Sequence, residues 1–154
     1  MKLVVFDLDF TLWNAGGTWI DHSYPPYRKV NGTVYDSANS QMLLYPDSKE
    51  ILKLLNIHNY KVAAASRTHE PSWAIELMRL YDIRKYFHYL EIYPGSKIEH
   101  FNQLNSATNI PFEEMIFFDD EMRNIEDVSS LGVYAVLVDR GINMQLVKEN
   151  LELH

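Results

Sequence analysis

The chain has 154 residues, a net charge of -7 and no cysteine, with 47% hydrophobic and 13% aromatic residues spread along it. That length suits one domain, which buries about 70% of its unfolded surface. The composition excludes disulfides, a thiol nucleophile and thiolate zinc ligands, and the acidic balance argues against nucleic acid or an anionic membrane as main partner. No apolar run approaches the ~20 residues that span a bilayer, and the apolar start Met1–Phe6 is too short for a secretory signal core, so a cytoplasmic location is expected.

Apolar stretches alternate with helical patterns, which predicts an α/β fold with a Rossmann-like parallel sheet of five strands flanked by helices, in a single domain over residues 1–154. In chain order the strands are Lys2–Phe6, Lys61–Ala65, Phe87–Tyr93, Met115–Phe118 and Tyr134–Val138, short unbroken apolar runs of the kind buried on both faces. Between them, helical periodicity predicts helices over Asp47–Ile57, Pro71–Tyr81, Ser96–Ala107, Glu121–Leu131 and Asn143–Leu151. Gly132 stands where a helix C-cap glycine belongs. Trp13–Tyr45 breaks the alternation. It is rich in Gly, Pro, Asn, Ser and aromatic residues, and Asn31-Gly32 between Val30 and Val34 is a two-residue hairpin signal. The region predicts a small β-hairpin flap, about residues 13–45, inserted after the first strand.

Four segments carry chemistry, and each follows a predicted strand, where parallel sheets bind ligands. Asp7-Leu8-Asp9-Phe10-Thr11 places Asp7 and Asp9 on one side of an extended chain. Two carboxylates in one cleft hold a hard cation or divide into base and acid, and the plain alternative is that each caps the turn. Ser66-Arg67-Thr68 offers a hydroxyl, backbone N–H groups and a charged fork for a phosphate, although taken alone an ordinary turn with a Ser–Thr cap on the next helix is the favoured reading. Lys97 opens a helix, where a cation opposes the dipole unless an anion lies beside it; an exposed lysine is the other reading. Asp119-Asp120 follows the fourth strand, and paired buried carboxylates need a cation, although Asp120 also fits a helix N-cap. Nucleophile, acid, hydroxyl, cation and metal ligands together make up what phosphoryl transfer needs.

The runs Asp7-Leu8-Asp9-Phe10-Thr11-Leu12-Trp13, Ala64-Ala65-Ser66-Arg67-Thr68, Ile92-Tyr93-Pro94-Gly95-Ser96-Lys97 and Phe117-Phe118-Asp119-Asp120-Glu121 resemble the four signature motifs of the haloacid dehalogenase (HAD) superfamily. Within it they are most similar to the magnesium-dependent phosphatase-1 family, from Leu3 to about Asn143, with Phe10 where Tyr is common and Met122 where Arg is common. The resemblance implies a HAD-like magnesium-dependent phosphatase with Asp7 as nucleophile and Asp9 as acid–base. It implies magnesium on Asp7, the Asp9 carbonyl and Asp120, with Asp119 the second choice since Asn124 stands near a usual acidic position. Leu8, Asp9, Ser66, Arg67 and Lys97 would hold the phosphoryl group. Substrates would be protein-tyrosine phosphates, fructosamine 6-phosphates or related sugar phosphates, on a phosphorylated small molecule, a phosphoprotein or a glycated protein. A non-catalytic phosphoryl-binding domain of this fold is the alternative, and a phosphoacceptor signalling domain would reverse the order of its acidic segments. His22, His58, His69, His88, His100 and His154 form no metal-ligand spacing. Trp13, Trp19, Tyr24 and Tyr27 line a substrate entrance or pack the flap onto the core.

Overall fold

The computed structural model describes residues 1–153, so His154 lies outside the described residues. Five strands form one parallel sheet: β1 (Leu3–Phe6), then, after the insertion, β6 (Lys61–Ser66), β7 (Tyr89–Ile92), β8 (Met115–Asp119) and β9 (Tyr134–Leu137), in spatial order β7-β6-β1-β8-β9. β1 sits at the centre, wholly buried, with β6 and β8 as its neighbours. Apolar side chains of β1, β6 and β8 face two separate hydrophobic clusters, one on each side of the sheet. That is why these strands read as unbroken apolar runs rather than as alternating ones.

Helices α1 (Ser48–Ile57), α2 (Pro71–Leu80), α3 (Lys97–Thr108), α4 (Met122–Ser129) and α5 (Met144–Asn150) link and cover the strands. Pro71 at the first position of α2 needs no hydrogen bond from its missing N–H. Ser96 caps α3 by accepting the Glu99 N–H, and the αL residue Asn109 ends it. Asn143 caps α5 in the same way through Leu146 N–H. Gly132, φ +102, turns the chain just beyond α4 into β9.

The insertion is more built than a hairpin alone. β2 (Trp13–Ala15) pairs antiparallel with β5 (Met42–Leu44), which closes the base of the insertion. Within it, a short 3-10 turn spans Ile20–His22, and β3 (Arg28–Val30) pairs antiparallel with β4 (Thr33–Tyr35). Asn31 and Gly32 both have positive φ, at 50° and 82°, as the tight turn between β3 and β4 requires. This hairpin is tied to the residue that follows α2: Val34 is buried and its N–H donates to the Tyr81 hydroxyl. Among the described residues, no helix is long and apolar enough to cross a membrane.

Candidate active site

The carboxyl edge of the sheet brings all four chemistry-bearing segments together. Asp7 leaves the end of β1, Ser66 ends β6, Asp119 ends β8, and Lys97 opens α3 after β7. A cleft of about 320 Å³ opens there, lined by Asp7, Asp9, Ser66, Arg67, Lys97 and Asp120 among others. That volume lies at the lower end for small-ligand sites, enough for a phosphoryl group and part of its leaving group.

Lys97 is 1% exposed, and its ammonium lies at the carboxyl ends of β1, β6 and β8. Its ammonium donates to Asp7 Oδ1 at 2.9 Å and to the Ala65 carbonyl, and lies 3.4 Å from Asp119 Oδ2. The position against the α3 dipole is thereby compensated by two carboxylates. Asp7 also accepts from the Thr11 hydroxyl at 3.3 Å. Leu8 buries its side chain in the core, and its carbonyl accepts the N–H groups of Thr11, Leu12 and Trp13.

Oxygens of Asp7, Asp119 and Asp120 lie within 4.8 Å of one another. The two adjacent acids are not equivalent. Asp119 is fully buried, with Oδ1 accepting the Glu121 N–H at 2.8 Å and Oδ2 the Asn124 amide at 3.0 Å. Asp119, not Asp120, therefore caps the turn into α4. Asp120 is half-buried, with a carboxylate oxygen within 4.8 Å of those of Asp7 and Asp119. Burial first, and then the neighbouring Asp7 charge, raises Asp119 above the ordinary carboxylate range; burial and Asp7 raise Asp120 likewise. Such crowded, oxygen-only ligands, free of His and Cys, fit a hard divalent cation.

Asp9 is 9% exposed, and burial pushes its carboxyl up to about 7, against the hydrogen bond from Trp13 and with help from the Asp7 charge. Its Oδ1 accepts both Trp13 Nε1–H at 2.9 Å and the Ile20 N–H at 3.1 Å. The insertion thus holds Asp9 in place. Phe10 follows with φ 62, a left-handed conformation rare for an aromatic residue, which bends the chain back so that Trp13 reaches Asp9. Sequence reading missed this role of Trp13, which is fully buried. It also missed Asn124, whose Oδ1 accepts from Arg67 at 3.3 Å while its amide holds Asp119. Of the aromatic residues expected at the entrance, Trp19 lines the cleft, half exposed, and meets His22 edge-on. Tyr27 is instead buried and bonded to Ser23, and Tyr24 is exposed without lining the cleft. His22 and His69 do line it.

The acid phosphatase family model matches residues 1–154. Human magnesium-dependent phosphatase 1 is 50% identical over 153 residues, covering 98% of this chain and 85% of its own length. A HAD-like hydrolase superfamily protein of Schizosaccharomyces pombe is 36% identical over 145 residues, covering 86% of this chain and 82% of its own. Among solved structures, a HAD family enzyme of Bacteroides thetaiotaomicron, in complex with magnesium and inorganic phosphate, superposes with a TM-score of 0.65. It covers 94% of this chain and 97% of its own at 14% identity, a likeness of fold. The four segments on the sheet edge, the family match over the full length and the half-identical human relative agree: the chain belongs to the magnesium-dependent phosphatase-1 family of the HAD superfamily.

Proposed function

We propose that this protein is a magnesium-dependent phosphomonoesterase that works through an aspartyl phosphate on Asp7. The observation that carries the proposal is one arrangement. Asp7 faces the cleft with one oxygen held by Lys97 at 2.9 Å, close to the oxygens of Asp119 and Asp120, while Asp9 lies two residues on with a carboxyl raised to about 7. Asp7, Asp120 and the Asp9 carbonyl would hold magnesium, with Asp119 behind them, bonded to Glu121 and Asn124. Bound magnesium neutralises carboxylate and phosphoryl charge in the cleft.

The residues divide the reaction as follows. An Asp7 oxygen attacks phosphorus and the bond to the leaving oxygen breaks. Asp9 gives that oxygen its proton, which a carboxyl raised to about 7 retains near neutrality. Asp9 then takes a proton from water, whose oxygen attacks the same phosphorus, releasing inorganic phosphate and restoring Asp7. Ser66, Arg67 and the backbone N–H groups after Asp7, Leu8 among them, receive the phosphoryl oxygens, and Lys97 balances charge on Asp7 as it transfers. The open cleft with Trp19, Arg67 and Arg123 on its wall supports substrates whose phosphate stands out from a larger body: a protein phosphotyrosine, a fructosamine 6-phosphate or a sugar phosphate.

The test is release of phosphate from p-nitrophenyl phosphate with magnesium, after exhaustive chelation, and in Asp7→Asn. Turnover in the wild type that vanishes on chelation and in Asp7→Asn is the expected result. Undiminished turnover in Asp7→Asn would refute the mechanism, and phosphate binding without turnover would favour the non-catalytic reading.

A further inference from the structure

The 3-10 turn Ile20–His22, inside the insertion, touches both halves of the proposed reaction. Its Ile20 N–H donates to Asp9 Oδ1 at 3.1 Å. The next residue, Asp21, reaches across to the loop that follows β6. Asp21 Oδ1 accepts the Thr68 hydroxyl at 2.6 Å, and Oδ2 accepts the His69 N–H at 3.0 Å. Thr68 in turn donates its N–H to Ser66 Oγ at 3.3 Å, and its hydroxyl accepts the Glu70 N–H at 3.1 Å. A line of hydrogen bonds therefore runs Asp21–Thr68–Ser66, ending on the hydroxyl expected to meet phosphate.

The placement is unfavourable on charge alone. Asp21 lines a cleft that already holds Asp7, Asp9 and Asp120, in a chain of net charge -7, where an anionic substrate must enter. A neutral residue there would repel phosphate less. What a carboxylate adds is two acceptor oxygens in a fixed fork, matched here to two donors, one a hydroxyl and one a backbone N–H. We propose that Asp21 is a positioning residue, which locks the Ser66–Thr68 loop and the acid Asp9 into one frame by tying the insertion across the cleft. The proposal rests on the phosphomonoesterase reading above.

Two esters separate positioning from mere support. p-Nitrophenolate leaves without needing a proton, whereas an alkoxide such as glycerol from glycerol phosphate requires one from Asp9. In Asp21→Ala, kcat/KM for glycerol phosphate should fall about ten- to a hundredfold, the range for a lost charge-assisted hydrogen bond, and fall less for p-nitrophenyl phosphate. Inorganic phosphate, titrated calorimetrically in magnesium, should bind more weakly. Asp21→Asn, which retains one of the two acceptor oxygens, should fall between the wild type and Asp21→Ala on both readouts. Thr68→Val provides a second entry if Asp21→Ala folds poorly: the double variant should be little worse than the worse single one. Equal losses for the two esters with unchanged phosphate affinity would overturn the proposal, as would Asp21→Asn behaving like Asp21→Ala. Should the wild type fail to hydrolyse either ester, the phosphomonoesterase reading falls, and the calorimetric comparison still decides whether Asp21 sets the phosphate loop.

Discussion

The ammonium of Lys97, buried to 1% exposure, donates to Asp7 and the Ala65 carbonyl and pairs with Asp119. Removing it strands two carboxylates beside a third. Lys97→Met should therefore cost ~3–5 kcal/mol of stability without divalent ions, the range for breaking a buried pair, and magnesium should recover part of that in urea titrations. Asn124 is a smaller joint between the same parts. Asn124→Ala removes the bonds to Asp119 and Arg67, and should cost about 1–3 kcal/mol while raising KM for phosphate esters more than it lowers kcat. The two residues differed in how readable they were. Lys97, like Asp7, Ser66 and Asp120, lies in a short run directly after a strand, so its neighbours in sequence announce its place. Asn124 meets Arg67 across 57 residues, and Asp21 meets Thr68 across 47, so only the folded chain makes them partners.

Among the elements, strands and helices of the sheet were legible to within a few residues, because burial on both faces and helical period leave local patterns. The tight turn at Asn31-Gly32 was legible for a different reason, since Asn-Gly accepts the two positive φ angles a two-residue hairpin needs. The β2–β5 pair was not: two three-residue strands joined by a long excursion carry no period of their own. Two glycines test how the insertion is held. A Cβ at Gly32, φ +82, meets nothing within 4 Å, so Gly32→Ala should cost only the ~1–2 kcal/mol of a left-handed backbone and leave turnover intact. A Cβ at Gly141, φ +86, would stand 2.5 Å from the Tyr45 ring that closes the insertion. Gly141→Ala should destabilise by clearly more than Gly32→Ala and lower activity as well, which paired thermal melts and assays would show.

For the whole molecule, the crowded carboxylates set a pH dependence. Burial holds Asp9 up at about 7 and raises Asp119 and Asp120 also, whereas in the unfolded chain each returns towards 3.8. Between those limits the folded state binds more protons than the unfolded one, so stability falls as pH rises. As far as these groups decide, the metal-free protein should be most stable below about pH 4, lose melting temperature from there through neutrality, and level off above about pH 8. Magnesium competes with those protons, so it should raise the melting temperature more at about pH 8 than at about pH 5. Melting curves that rise with pH in the absence of metal would contradict this.

The parallel sheet has a practical polarity. The cleft opens at the carboxyl ends of the strands, and α3, which starts there with Lys97, runs the other way and ends beyond the exposed Ser106 on the opposite rim. The chain contains no cysteine, so Ser106→Cys would be its one thiol. Coupled to a maleimide surface or a fluorophore, that thiol would anchor each molecule with its cleft facing outward. Tethered through Ser106→Cys, the protein should keep its kcat for a macromolecular phosphoester, whereas attachment through the many lysines should block a share of the sites at random.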